Sequence, residues 1–273
     1  MKTGAGMDLL NLLPAVSVLN RDNGKRFVDS RRLDAMAGLL WDSAWRRINP
    51  DGLFHCYARQ PLYRLCGREA VVISAHADCA ETITRCFSES WGNGLLKGTY
   101  DNAATNAAVL SLMLRDALPE DALVVFTGDE EGDSKGARHA ARFFRENVIT
   151  VRHLFVLDVT DMGWEEQADY TVENSFWRGG SGEKIIACAC GLPCAWRFVP
   201  SGRAAVPGFV PTAAVIPAEA EADESWEYDK EGLSCCSLCL PVCGEMHSNA
   251  GVLVREASLR NYAAALEALV RAV

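Results

Sequence analysis

A chain of 273 residues, 49% of them hydrophobic, is long enough to bury a sizeable core, and with no linker-like tract it reads as one domain spanning residues 1–273. Its formal net charge of -9 argues against a phosphate-backbone partner, which would need clustered Lys and Arg; no basic stripe is present, so no nucleic acid is expected to bind. Eleven cysteines are an odd number in a chain too long to need a disulfide framework, which fits thiols in a reducing compartment.

In chain order, the opening MKTGAGMDLLNLLPAV holds one Lys and an apolar stretch, Leu9 to Leu13, that Pro14 ends. It is too short for a signal h-region or a membrane span, so the expectation is a cytoplasmic protein with no membrane partner. A helix is predicted over about Arg31 to Arg47, with Leu33, Met36, Leu40 and Ala44 on one face and Asp29 or Ser30 as its cap. Ala70 to Ile73 then reads as a strand. DNAATNAAVLSLML starts a helix whose wide apolar faces predict burial, with Asp101 or Asn102 placed to accept its free amide protons. Leu123 to Phe126 and Leu154 to Leu157 read as buried strands, with a helix over Ser134 to Asn147 between them. The last helix, about Arg255 to Val273, lines Leu259, Tyr262, Leu266, Leu269, Val270 and Val273 along one stripe. Strands alternating with helices predict α/β layering around a central sheet.

Each of the three strands runs into acidic or imidazole side chains at its carboxyl end: VVISAHAD, LVVFTGDEE and LFVLDVTD. In open α/β sheets ligands bind in the crevice beyond those ends, so His76, Glu130, Glu131 and Asp158 are candidates to converge. SLCLPVCGEMHS repeats the pattern with His247. His76 and Asp78 lie two apart, which in extended chain puts both on one side, so the carboxylate can orient the imidazole. Adjacent Glu130 and Glu131 point different ways, leaving one to bind metal and the other to handle a proton. Each residue alone has a plainer reading: a satisfied strand-end histidine, a solvated acidic loop, a helix cap at Asp101, a strand end at Asp158. The ordered set of imidazole, carboxylate, paired glutamates, carboxylate and imidazole is much harder to obtain by chance.

With these residues the sequence resembles the co-catalytic di-zinc aminopeptidases, which include bacterial leucyl-type and tetrahedral aminopeptidases and carboxypeptidase relatives. The resemblance rests on HAD, GTYDNAATNAAVL, FTGDEEGDSKGA, LDVTD and GEMHS, and covers roughly Leu65 to the C-terminus. It implies a three-layer α/β/α fold around a central mixed, mostly parallel sheet, and a metallopeptidase acting on a peptide or N-terminal amino-acyl substrate. It also implies two Zn2+ ions, with Co2+ or Mn2+ as alternatives. Asp101 would bridge them, with His76 and Asp158 on one metal and Glu131 and His247 on the other. Glu130 matches the general base that takes a proton from the attacking water, and Asp78 the residue that orients His76. Lidded relatives carry an inserted second domain; here 25 positions separate His76 from Asp101 and 89 separate Asp158 from His247, as expected of an unlidded member. Two positions depart from the family pattern: Asp133 stands where relatives usually have glycine, and Asn249, Ala250 and Gly251 follow GEMHS in place of Pro and an acid.

Other readings of the chain are weaker. RGGSGEK lacks the spacing of a phosphate loop, since Lys184 follows Glu183 and precedes Ile185. Cys235, Cys236, Cys239 and Cys243, with Cys188, Cys190 and Cys194, suggest a second zinc or an iron-sulfur cluster, but alternation through Cys236, Leu238 and Leu240 reads as a buried strand with structural thiols, and Ile185 to Cys190 as a helix end before Gly191. In the acidic tract from Glu219 to Glu231, Asp223 is the residue placed, by analogy with relatives, to hold a substrate ammonium group. His55, His139 and His153 lack such context and read as surface or core histidines. Two alternatives stand beside the hydrolase: a glutaminyl-cyclase-like acyltransferase, which works with one zinc, and a non-catalytic metal-binding scaffold of the same fold. Retention of both second-metal contacts favours hydrolysis.

Overall fold

A computed structural model describes residues 8–19, 31–49, 52–199 and 222–273. Helices α1 (Leu9–Val16) and α2 (Arg31–Leu40) lead into strands β1 (Arg46–Arg47) and β2 (Phe54–Ala58), a single turn α3 (Leu62–Leu65) and β3 (Glu69–His76). A hairpin of β4 (Ser88–Gly92) and β5 (Leu95–Gly98) precedes α4 (Ala103–Leu114), β6 (Ala122–Thr127), α5 (Lys135–Glu146) and β7 (Thr150–Thr160). Then come β8 (Tyr170–Phe176), α6 (Ser181–Gly191), β9 (Trp196–Phe198), α7 (Glu224–Lys230), β10 (Cys235–Pro241), β11 (Val252–Arg255) and α8 (Glu256–Ala272).

The main sheet runs β1-β2-β6-β3-β7-β10-β8-β9. Its centre, β6-β3-β7-β10, is parallel throughout, while β2 on β6 and β8 on β10 are antiparallel. Parallel strands need covering on both faces, and alternation assigns the side chains. Val71, Ile73 and Ala75 pack with the residues of α1, α2, α4 and α8, whereas Ala70 and Val72 pack with those of α5 and α7. The fold is therefore α/β in three layers around a mixed, mostly parallel sheet, as the sequence predicts. The smaller sheet β11-β5-β4 stands beside it.

Several boundaries differ from the sequence reading. The first long helix stops at Leu40, not Arg47: Asp42 and Ser43 form a turn in which Ser43 Oγ bonds the Leu40 carbonyl, and Ala44 leaves the helical face. The turn sends Trp45 into the core, where its indole N–H donates to the Met113 carbonyl at 3.0 Å. Pro14 does not end the first apolar stretch, because α1 continues through it to Val16, whose side chain is fully buried with Leu12 and Leu13. Asp29 and Ser30, the expected caps of α2, lie outside the described residues. Neither Asp101 nor Asn102 caps α4 through its side chain; Asn102 instead donates to the Leu157 carbonyl at 2.6 Å. The Asp101–Asn102 peptide is cis. As expected, α4 is buried from Ala103 to Met113 and α8 buries Leu259, Tyr262, Leu266, Leu269 and Val270. RGGSGEK forms the entry to α6, where a Cβ at Gly182 would collide with the Trp177 ring. All eleven cysteines are described and none is in a disulfide; β10 buries Cys235, Cys236 and Cys239. No helix among the described residues is long and apolar enough to cross a membrane.

His153 sits fully buried on β7, its ring nitrogens 3.0 Å from Ser234 Oγ and 3.4 Å from Cys236 Sγ. Burial depresses its pKa from 6.5 to about 3. The unfolded chain therefore takes up a proton that the folded chain refuses, so stability is full above pH 6.5 and is lost as pH falls towards 3. Urea unfolding at pH 7 and pH 5 should show His153→Gln removing about 2 kcal/mol of the acid-induced loss. An unchanged pH slope in that variant would contradict the assignment.

Candidate metal centre

The parallel strands β6, β3 and β7 deliver three of the candidate groups at or near their carboxyl ends. His76 is the last residue of β3, Glu130 and Glu131 follow β6, and Asp158 lies near the end of β7. Asp101 precedes α4, and His247 lies in the loop between β10 and β11. The glutamate loop is set by a close approach at Gly136, where a Cβ would fall 2.5 Å from the Gly128 carbonyl. Asp133, at the departure from the family pattern, has its carboxylate 2.8 Å from Arg138 Nη2 and 3.8 Å from Lys135 Nζ. Its backbone does not take the left-handed conformation that would demand glycine.

His76, Asp101 and Asp158 offer atoms within 4.8 Å of one another, as do Asp101, Glu131 and His247, and His76, Glu130 and Glu131. His76 Nε2 lies 3.0 Å from Asp101 Oδ1 and 3.4 Å from Asp158 Oδ1. His247 Nε2 lies 3.2 Å from Asp101 Oδ2 and 3.5 Å from Glu131 Oε2. The two oxygens of one carboxylate thus face two different histidine-carboxylate groups. On its other side His76 turns Nδ1 to Asp78 Oδ1 at 3.3 Å, while Asp78 Oδ2 accepts from the Glu131 amide at 3.2 Å, so Asp78 ties both groups together. The His76 side chain is 2% exposed and that of His247 56%, so the centre opens to solvent on the His247 side.

Charge in this cluster is unbalanced. Burial and the Asp158, Glu224 and Glu131 carboxylates push Glu130 up to about 9, against the pull of His76. Burial, with Asp101 and Asp78, raises Glu131 to about 7 against both histidines. Burial also raises Asp158. Asp101 is the exception, since its bonds to His247 and His76 outweigh burial and hold it below the usual carboxylate range. Burial opposes a charge on His76, but Asp158, Glu130 and Asp101 raise it well above its ordinary value. The bond to Asp101 brings His247 to about 9. His76 Nδ1, Asp78 Oδ1, Asp101 Oδ1 and Glu131 Oε1 are buried without a hydrogen bond of good geometry. Like charges and orphaned donor atoms in one pocket call for a cation, and imidazole plus carboxylate is the donor set that suits zinc and its divalent neighbours.

Compared by sequence, the chain matches no protein-family model and no curated protein. Compared by structure, it overlays on aminopeptidase APDkam598 from the archaeon Desulfurococcus kamchatkensis with a TM-score of 0.66, at 14% identity over 96% of this chain and 94% of that one. The TET1 peptidase of Pyrococcus horikoshii gives 0.65 at 10% identity, over 92% and 97%. BSAP, a zinc aminopeptidase from Bacillus subtilis, gives 0.51 at 14% identity, over 80% of this chain and 48% of that one. The chain shares the fold of these peptidases.

Asp223 and two acids absent from the sequence reading surround the centre. Asp223 caps α7, accepting from the Ser225 amide at 2.8 Å and from the hydroxyls of Ser225 and Ser237. Glu224, 1% exposed, accepts from Thr127 Oγ1 at 2.7 Å through one oxygen while the other has no partner among the described residues; burial, with Asp78 and Asp158, pushes it up to about 8. Glu173 on β8 accepts from Thr171 Oγ1 at 2.5 Å, and burial brings it to about 7. Glu173 carries a sequence signal, an acid inside the strand-like run TVENSF; Glu224 is hidden in an acidic tract.

Proposed function

We propose that the chain is a metallopeptidase of the aminopeptidase type, holding two zinc ions and cleaving the first residue from a peptide or other N-terminal amino-acyl substrate. The observation that carries this reading is the double-sided Asp101 carboxylate, 3.0 Å from His76 Nε2 and 3.2 Å from His247 Nε2. In this reading His76, Asp101 and Asp158 would hold one ion, and Asp101, Glu131 and His247 the other. When bound, the pair of ions would supply Lewis-acid polarisation of the scissile carbonyl and a lowered pKa for water. Glu130 takes a proton from the attacking water and returns it to the leaving amine. Asp78 holds the His76 ring through Nδ1, fixing the tautomer that leaves Nε2 unprotonated. Asp223, whose oxygens are held by Ser225 and Ser237, acts on a substrate ammonium group through its field. This reading takes the chain as a single domain in the cytoplasm; among the described residues the span between His76 and Asp101 is taken by a loop and the β4-β5 hairpin, with no inserted domain there.

Metal analysis of the isolated chain, with a panel of aminoacyl and acyl-peptide substrates, tests the proposal. It expects about two divalent ions per chain and turnover of substrates with a free amino terminus. Metal-free chain that stays inactive after zinc or cobalt addition would leave the scaffold reading.

Asn249, in the position where relatives differ, latches the His247 loop. Its Oδ1 accepts from the Thr84 amide at 2.8 Å and the Arg85 amide at 3.1 Å, and its Nδ2 donates to the Thr82 carbonyl at 3.1 Å. Thr82 Oγ1 donates to the His247 carbonyl at 2.6 Å. Asn249→Ala should therefore weaken one of two metal sites by about 10-fold to 100-fold. A zinc titration with a competing chelator reads the two sites separately, and unchanged affinities would remove the latch.

A further inference from the structure

A cluster of Arg32, Cys79 and Cys86 lies outside the proposed metal ligands. Arg32, on α2, is fully buried. Its Nη1 donates to the Asp78 carbonyl at 3.1 Å and its Nη2 to Cys79 Sγ at 3.0 Å, while Nε is buried without a hydrogen-bond partner among the described residues. Among those residues no carboxylate stands within ion-pair distance of it. A buried guanidinium needs a compensating negative group, and the acidic groups beside this one are thiols. Cys86 Sγ lies 4.0 Å from Cys79 Sγ, and the two side chains pack with Ala80 and Ile83. Cys79 is 8% exposed, whereas Cys86 is half-buried and reachable from solvent. The hydrogen bond from Cys79 outweighs burial at Cys86 and, with the Arg32 charge and the Thr99 hydroxyl, brings that thiol down to about 6. A thiolate next to a cation, with a second thiol in reach, is the arrangement of a redox-reactive pair.

We propose that Cys86 is a peroxide-reactive thiol and that Cys79 resolves its oxidised form into a reversible disulfide. Cys86 sulfur attacks one oxygen of hydrogen peroxide; the O–O bond breaks, the sulfur becomes sulfenic acid, and the departing hydroxide takes up a proton to give water. Cys79 then loses its proton and attacks the Cys86 sulfur, forming the S–S bond and releasing hydroxide, which becomes a second water. Two thiols give up two electrons and two protons to one peroxide. Arg32, bonded to Cys79 Sγ, favours the Cys86 thiolate through its charge before the reaction, and that negative neighbour is gone after it.

Thiol chemistry reads this out independently of hydrolysis. The full chain is treated with hydrogen peroxide near neutral pH, quenched by alkylation and mapped by peptide mass spectrometry, with exposed Cys66 and Cys190 as internal references. A Cys79–Cys86 linked peptide should form about tenfold or more faster than Cys66 or Cys190 is oxidised, and dithiothreitol should reverse it. In Cys79→Ser the sulfenic acid at Cys86 should persist and be trapped by dimedone. Arg32→Lys should keep the Cys86 rate within a few-fold, and Arg32→Met should lower it towards the reference thiols. Oxidation of Cys86 no faster than that of Cys66 and Cys190 in the unaltered chain, or pairing of Cys86 with a cysteine other than Cys79, would overturn the proposal.

Discussion

Glu130→Gln is expected to bind as much metal per chain as the unaltered chain and to lose about 10²-fold to 10⁴-fold in kcat. The substitution keeps shape and volume but removes the atom that takes the proton. Among the described residues Glu130 shares a group only with His76 and Glu131, whereas His76, Asp101, Asp158, Glu131 and His247 build the two groups that Asp101 joins. Loss of Glu130 therefore leaves each of those groups complete. In the metal-free chain, burial and the surrounding acids push Glu130 up to about 9, so it carries a proton at neutral pH. Bound dications would favour the ionised form, which is the form a general base requires. Glu131→Gln separates the two roles, because it should cost one of two metals as well as activity. Metal stoichiometry measured beside turnover distinguishes the variants. Full turnover in Glu130→Gln would end the assignment, and loss of metal in it would move Glu130 from base to ligand.

The candidate ligands are legible in the sequence because each strand leads to its own: His76 closes an apolar strand, the glutamates follow another, and Asp158 lies near the end of a third. The sheet then brings together residues far apart in sequence, and the parallel β6-β3-β7 order places their carboxyl ends side by side. What could not be read depends on contacts between distant segments. The end of α2 at Leu40 follows from the turn that seats Trp45 against Met113, and helical periodicity alone runs past it. Asp101 fits its local sequence equally as a helix cap or as a ligand, and only the fold directs its oxygens to His76 and His247. Glu224 stands in a run of acids that nothing local tells apart, yet α7 turns it inward onto Thr127. Arg32 and Cys79 lie 47 positions apart, and no local pattern announces that they touch.

Zinc should bind at least about a hundredfold more weakly at pH 6 than at pH 8, and its removal should lower the thermal midpoint by roughly 10 °C at alkaline pH. The sign follows from which state holds the protons. In the metal-free chain His76 is raised well above its ordinary value and His247 to about 9, so both are protonated near neutrality and must release a proton to ligate. Each displaced proton contributes about tenfold in affinity per pH unit until its pKa is passed. Folding of the metal-free chain shows the opposite trend. Glu130 at about 9 and Glu224 at about 8 are raised above their unfolded value of 4.5, so their protonated forms stabilise the fold at low pH, and that contribution is lost as pH rises through 8 and 9. Chelated protein therefore weakens with rising pH over the range in which zinc binds more tightly. With free zinc at a thousand times its dissociation constant, the difference between the two forms is about 4 kcal/mol. Calorimetric titration in two buffers of different ionisation enthalpy counts the protons released, and thermal scans with and without chelator read the stability. Proton uptake on binding, or a chelated chain that gains stability with rising pH, would show that the charge in this cluster is arranged for something other than a pair of metal ions.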